Sequence, residues 1–226
     1  TTVTYPADLF DKIKYHDGSP LSVADFVLYM ITQFDTCDPK SAIYDESNVP
    51  NCDTFKSHFK GVKILSTDPL VIETYDDTVS LDAEVQVGNI NGSQPGYSLT
   101  WFPTAYTGPL AWHTYTPAYL AESNNELAFS TNKSTTLGVE WTNFIAGPSL
   151  DNMKKYLDQA QAEDLIPYAP TLGKYITADD AKARYENIQK WYADHHHFWV
   201  GTGVYYIDEV NPVEGSVVAK RFEDFP

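Results

Sequence analysis

From Ser22 to Phe34 the apolar residues fall at Val23, Phe26, Val27, Met30, Ile31 and Phe34, the three-and-four spacing that turns one stripe of a helix toward a core. The same period returns over 149–164, SLDNMKKYLDQAQAED, where Leu150, Met153 and Leu157 share a face between Pro148 and Pro167. It returns again over 177–195, where Ala181, Arg184, Tyr185, Ile188 and Tyr192 align with Trp191 beside them. Each of the three segments opens on a Ser or Thr able to cap free amides. Elsewhere the pattern is that of strands. VKILS (62–66) and LVIETY (70–75) flank Thr67-Asp68-Pro69, and VYYIDEV (204–210) and SVVAKRF (216–222) flank NPVEG, so two β-hairpins are predicted. Between 85 and 148 the periodicity fades into Gly, Asn, Pro, Thr, Trp and Tyr. That stretch is expected to be loop-rich and is the first place to look for a ligand surface. Together the elements predict an α+β fold, a mixed sheet with hairpins and packed helices.

The run KIKYHDGSPLSVADF concentrates polar residues and poses a choice between chemistry and punctuation. Asp17-Gly18 is a turn dipeptide after strand-like KIKYH, and Ser22 with Asp25 forms S-x-x-D ahead of the helical stripe, a variant of the capping box. The competing reading makes His16, Asp17 and Ser19 or Ser22 a hydrolytic set. Residues this close along a chain seldom converge, because triad members come from separate loops, so the run is read as punctuation. His195-His196-His197 is read as a helix end and not as a metal site, since adjacent imidazoles on a helix point in different directions and His suits a helix C-terminus. Gly201-Thr202-Gly203 precedes a strand rather than a helix, which fails the context of a phosphate loop. A tight bend that brings the backbone against another segment is expected there.

Glu73 and Glu140 are the candidates for a glycosidase-like carboxylate pair, but only their separation would make that chemistry, and the residues alone predict no enzyme and no cofactor. The aromatic residues Tyr97, Trp101, Phe102, Tyr106, Trp112 and Tyr115 divide between core and surface. Tyr97, Trp101, Tyr106 and Trp112 are the candidate ligand-binding residues, lining a cleft that holds a peptide or sugar by stacking and apolar contact.

Composition narrows the classes further. At 226 residues the chain is long enough to bury a core and is read as a single unit, 1–226. Hydrophobic residues at 42% are too many for a disordered chain, and no apolar run reaches the roughly 18 residues of a membrane helix. With 31 Asp+Glu against 15 Lys+Arg, a formal charge of -16 repels a phosphate backbone, so nucleic acid is not an expected partner. Few Lys, 16 Tyr and many Asn, Thr and Pro fit an extracytoplasmic protein. Cys37 and Cys52, 15 positions apart in polar, turn-rich surroundings, are either a disulfide or two free thiols. A bridge of that span would add about 3 kcal/mol in an oxidising compartment.

The order of three segments then matters: KYHDGSPLSVADFVLYM, GVKILSTDPLVIETY and, late in the chain, HFWVGTGVYYIDEVNPVEGSVVAKRFEDF. In this order they resemble the extracellular solute-binding proteins of the peptide and nickel class, the binding components of ABC importers. Lys14, His16, Asp17, Gly18, Pro20, Ala24 and Asp25 match that family's K-x-H-D-G-x-P-x-x-A-x-D segment. Gly201, Thr202, Gly203 and Tyr205 match its G-T-G-P-Y strand, with Val204 where the family usually has Pro. The resemblance implies a type II periplasmic-binding-protein fold and a chain covering much of the first of two lobes. It further implies capture of oligopeptides or a similar solute outside the membrane, for delivery to an ABC permease. No family ligand-anchoring residue carries over onto this chain. A secreted carbohydrate-binding module is the alternative, suggested by the aromatic residues of the irregular segment.

Overall fold

A computed structural model describes residues 1–78, 101–105, 108–109 and 111–226. The chain begins with strand β1 (Thr2–Thr4) and a helical turn α1 (Leu9–Lys12), followed by helices α2 (Val23–Asp35) and α3 (Val49–His58) and strands β2 (Phe59–Thr67) and β3 (Leu70–Asp76). Two-residue strands β4 (Thr104–Ala105) and β5 (Gly108–Pro109) precede helix α4 (Trp112–Ser123). Then come β6 (Leu127–Ala128), α5 (Thr131–Leu137), β7 (Glu140–Trp141), α6 (Ser149–Ala162), the turn α7 (Ala169–Leu172) and α8 (Ala178–His195). The hairpin β8 (Tyr205–Asn211) and β9 (Ser216–Arg221) follows. Helices and small sheets share one chain, as α+β requires.

The three expected helices and both hairpins form, with ends shifted by at most three residues. β1 was not foreseen; it adds to the first hairpin as an antiparallel edge strand, Thr2 opposite Glu73 and Thr4 opposite Val71, giving the order β1-β3-β2. Along β3, Leu70, Ile72 and Thr74 are buried while Val71, Glu73 and Tyr75 are not, the alternation of a sheet covered on one face. The segment read as strand-like, KIKYH, is corrected: the helical turn α1 runs into it and only an isolated bridge from Lys14 to Pro20 remains.

The loop-rich reading of 85–148 also needs correction where the structure describes it. Trp112–Ser123 is a helix, and nine of its residues, His113, Thr114, Thr116 and Glu122 among them, are buried. A helix enclosed on all sides carries no apolar stripe, so periodicity cannot reveal it. Its threonines are satisfied locally, Thr114 Oγ1 donating to the Ala111 carbonyl at 2.8 Å and Thr116 Oγ1 to the Trp112 carbonyl at 2.7 Å. α5 fails to show a stripe for the opposite reason, since none of its residues is buried. It is defined by its ends, Ser130 accepting the Lys133 amide at 3.1 Å and Gly138 closing the helix at φ 68°.

α4 packs against α2, α6 and α8, and the inner faces of these helices and of the three-stranded sheet enclose one contiguous core. Cys37, just past α2, is joined to Cys52 of α3 as a disulfide, with the Cα atoms 6.3 Å apart. Among the described residues no helix is long and apolar enough to cross a membrane.

Candidate functional site

The punctuation read from the sequence is present in detail. The Asp17-Gly18 turn closes with Gly18 N–H donating to the Tyr15 carbonyl at 2.9 Å, Gly18 holding φ 86°. Asp17 accepts the Ser19 amide at 3.0 Å and the Ser19 hydroxyl at 3.2 Å. At the start of α2 the capping box forms, the Asp25 carboxylate accepting the Ser22 amide at 2.9 Å.

These residues also reach far along the chain. Asp17 Oδ2 accepts from His113 Nε2, at the start of α4, over 2.7 Å. Arg184 of α8 donates to both oxygens of Asp25, at 3.0 and 3.1 Å, and to the Pro20 carbonyl. It also lies 3.3 Å from His113 Nδ1. A guanidinium can only donate, so Nδ1 accepts and His113 carries its hydrogen on Nε2, facing Asp17. The Trp112 amide adds a further donor to Asp25 at 3.0 Å, and Asn187 donates to Ser19 Oγ at 3.1 Å. Burial opposes the ionisation of Asp17, but His113 and the Ser19 bonds hold its carboxyl below the usual range. Burial likewise opposes the charge on Arg184, and Asp25 outweighs it, raising the guanidinium further.

The glycine pair docks on the same loop. His16 N–H donates to the Gly201 carbonyl at 2.9 Å, Gly201 N–H returns to His16 Nδ1 at 3.1 Å, and His16 Nε2 donates to the Gly203 carbonyl at 3.0 Å. The bend expected at Gly201–Gly203 is thus a close approach of backbone to another segment. Beside it a cleft of about 280 Å³ opens, lined by His16, Trp191, His195, Tyr206, Lys190 and Arg221 among others.

This geometry does not assemble a hydrolytic set. Ser19 Oγ contacts Asp17 and Asn187 and not an imidazole, both ring nitrogens of His16 are engaged by backbone groups, and Ser19 and His113 have no exposed surface. Glu73 and Glu140 sit in different sheets. His195 ends α8, with His196 in the left-handed C-cap conformation at φ 59°. Among the described residues no group of three His, Cys, Asp or Glu is placed to hold a metal.

Of the aromatic residues expected to line a ligand cleft, Trp101 and Trp112 are placed in the core with no exposed surface. Trp101 donates its indole N–H to Thr74 Oγ1 at 2.8 Å and packs edge-on against Tyr29 and Phe59. Trp112 packs against Tyr185 and under the Arg184 guanidinium, 5.1 Å from its ring. Both rings are consumed by burial, and neither offers a face to a ligand. Tyr97 and Tyr106 lie outside the described residues. The groups that do converge and were not singled out are His113, Asn187 and Tyr206. Arg184 was visible only as a charged residue within an apolar stripe.

No protein-family model matches the chain, and no curated protein matches it in sequence.

Proposed function

We propose that this chain belongs to the substrate-binding component of an ABC importer, capturing oligopeptides or a similar solute outside the membrane and delivering them to a permease. In this reading it makes up much of the first lobe of a type II periplasmic-binding-protein fold and breaks no bond. One observation carries the reading: two of the three segments on which the resemblance rests, 185 residues apart at His16 and Gly201, are bonded to each other through three hydrogen bonds. Motif residues that serve as joints of a scaffold behave in this way, whereas motif residues that serve chemistry leave a reactive atom open. The Cys37–Cys52 bridge supports an oxidising, extracytoplasmic compartment.

Closure of two lobes on a ligand places part of the binding energy on each lobe, so this chain by itself is expected to hold peptide weakly. The test is therefore made in the cell. The gene is deleted and the depletion of a defined oligopeptide pool from the medium is followed by mass spectrometry. Loss of uptake of one peptide class, restored by the gene in trans, is the expected result. Unaltered depletion of every peptide, or loss of oligosaccharide uptake instead, refutes the proposal.

A further inference from the structure

Two histidines at the base of the terminal hairpin share one hydrogen-bonding pattern. His16 Nδ1 accepts the Gly201 amide at 3.1 Å while Nε2 donates to the Gly203 carbonyl at 3.0 Å. His197 Nδ1 accepts the Trp199 amide at 3.1 Å while Nε2 donates to the Ile207 carbonyl of β8 at 2.9 Å. A backbone N–H can only donate, so both rings are held neutral with the hydrogen on Nε2. A proton on either Nδ1 would set two N–H groups against each other.

Among the described residues the hairpin is otherwise held by the His195–Asp208 contact, the Lys14–Asp224 pair that follows β9, and ring packing of His16 on Phe222 and His195 on Tyr206. Every residue of β9 is exposed, and β8 packs against α8, with the Tyr206 ring against Trp191 and His16. We propose that the 205–221 hairpin is a pH-released latch, fastened while His16 and His197 are neutral and freed as they take protons, His16 before the hairpin lifts and His197 with it. His16 lines the open cleft and is protonated first. His197 has no exposed surface, so its proton arrives only as the hairpin lifts and then holds it open.

The charges around the pair set the direction. Asp17 on the loop and Asp208 on β8 attract a proton, as do Asp194 on α8 and Glu223 and Asp224 beyond β9. Lys190 of α8, Lys220 and Arg221 of β9 and the neighbouring His195 oppose it. His195 donates from Nδ1 to the Asp208 carbonyl at 3.2 Å and lies 3.5 Å from the Asp208 carboxylate, a contact between α8 and β8 that involves neither His16 nor His197. Burial dominates for both His16 and His197 and lowers each below the ordinary histidine value, with the Gly203 and Ile207 carbonyls pulling the other way. A lowered histidine makes acid the releasing condition. As pH falls below about 6.5 the open state takes up protons that the closed state refuses, so closure weakens by up to tenfold per proton per pH unit.

The experiment is amide hydrogen exchange on the whole chain between pH 7.5 and 5.0, corrected for intrinsic rates. Protection of hairpin amides such as Val210 and Val217 is expected to fall at least tenfold while α4 amides keep theirs. In the variant His16→Asn/His197→Asn, whose side chains accept the same amides without titrating, the pH dependence is expected to vanish. Hairpin protection that is independent of pH, a loss shared equally by α4, or a pH dependence that persists in the variant overturns the proposal. Should the variant not fold, the imidazole resonances of the native chain decide. Neutral Nε2–H rings that protonate as the hairpin opens support the latch, and charged rings beneath a still-protected hairpin overturn it.

Discussion

Replacing Arg184 by Met keeps the aliphatic stem over Trp112 and removes the charge and five donors. Asp25 is fully buried and would retain three donors, the Ser22 amide, the Ser22 hydroxyl and the Trp112 amide, but no counter-charge among the described residues. The Pro20 carbonyl and His113 Nδ1 would lose a partner as well. Breaking one side of a buried ion pair costs about 3–5 kcal/mol, and the three surviving donors place this case near the lower end, at about 3–4 kcal/mol. Urea unfolding followed by tryptophan fluorescence reads it directly: with a slope of about 3 kcal/mol per M for a chain of this size, the midpoint is expected to fall by about 1 M. Asp25→Asn in the same background removes the orphaned charge, so the double variant should be less destabilised than the two single changes summed, by about 2 kcal/mol. A midpoint drop under about 0.3 M for Arg184→Met, or strict additivity with Asp25→Asn, would refute the claim that this pair fastens α2 to α8.

Two further outcomes follow from local geometry. Reducing the Cys37–Cys52 disulfide, or replacing both residues by Ser, is expected to lower stability by about 3 kcal/mol for a loop of this span, read as a lower thermal midpoint with and without a phosphine reductant; equal midpoints would show that the bridge constrains nothing. Gly18→Ala forces a side chain onto φ 86° where its Cβ would meet no atom within 4 Å, so the cost is conformational alone, about 1–2 kcal/mol, and Gly18→Asn should recover part of it in the same urea assay.

How far the fold could be read depended on how each element is buried. α6 and α8 each cover the core with one face, and their stripes gave both position and orientation, Met153 and Leu157 in one and Ala181, Tyr185 and Ile188 in the other. α4 is enclosed on all sides and α5 on none, and neither state leaves a period in the sequence. β1 is three residues long and gains its meaning from pairing with β3, 67 positions away from Thr4 to Val71 and 71 from Thr2 to Glu73, which no local pattern encodes. The burial of Trp101 and Trp112 was hidden for a related reason. Trp101 and Trp112 sit among Gly, Pro and Thr, a loop-like neighbourhood, yet their rings fill the interior because the core is assembled from segments remote in sequence.

The candidate site divides in the same way. Local reasoning assigned Asp25 to the cap of its own helix, and that assignment is correct, but it accounts for only part of the carboxylate. A carboxylate offers about four acceptor sites, and the cap uses the Ser22 amide and hydroxyl. Three further donors, the Trp112 amide and two Arg184 nitrogens, share what the cap leaves open. The signal for this partner lay in the α8 stripe, where a guanidinium stands among Ala181, Tyr185 and Ile188: a charge on a buried face must be met by an opposite one. Asp17 is a parallel case, exhausted neither by its turn nor by Ser19 and still open to His113. Buried acids in turns and caps are therefore the positions where a local explanation leaves acceptors to spare, and the lone pairs that close a turn are also what tie the 17–25 segment to α4 and α8.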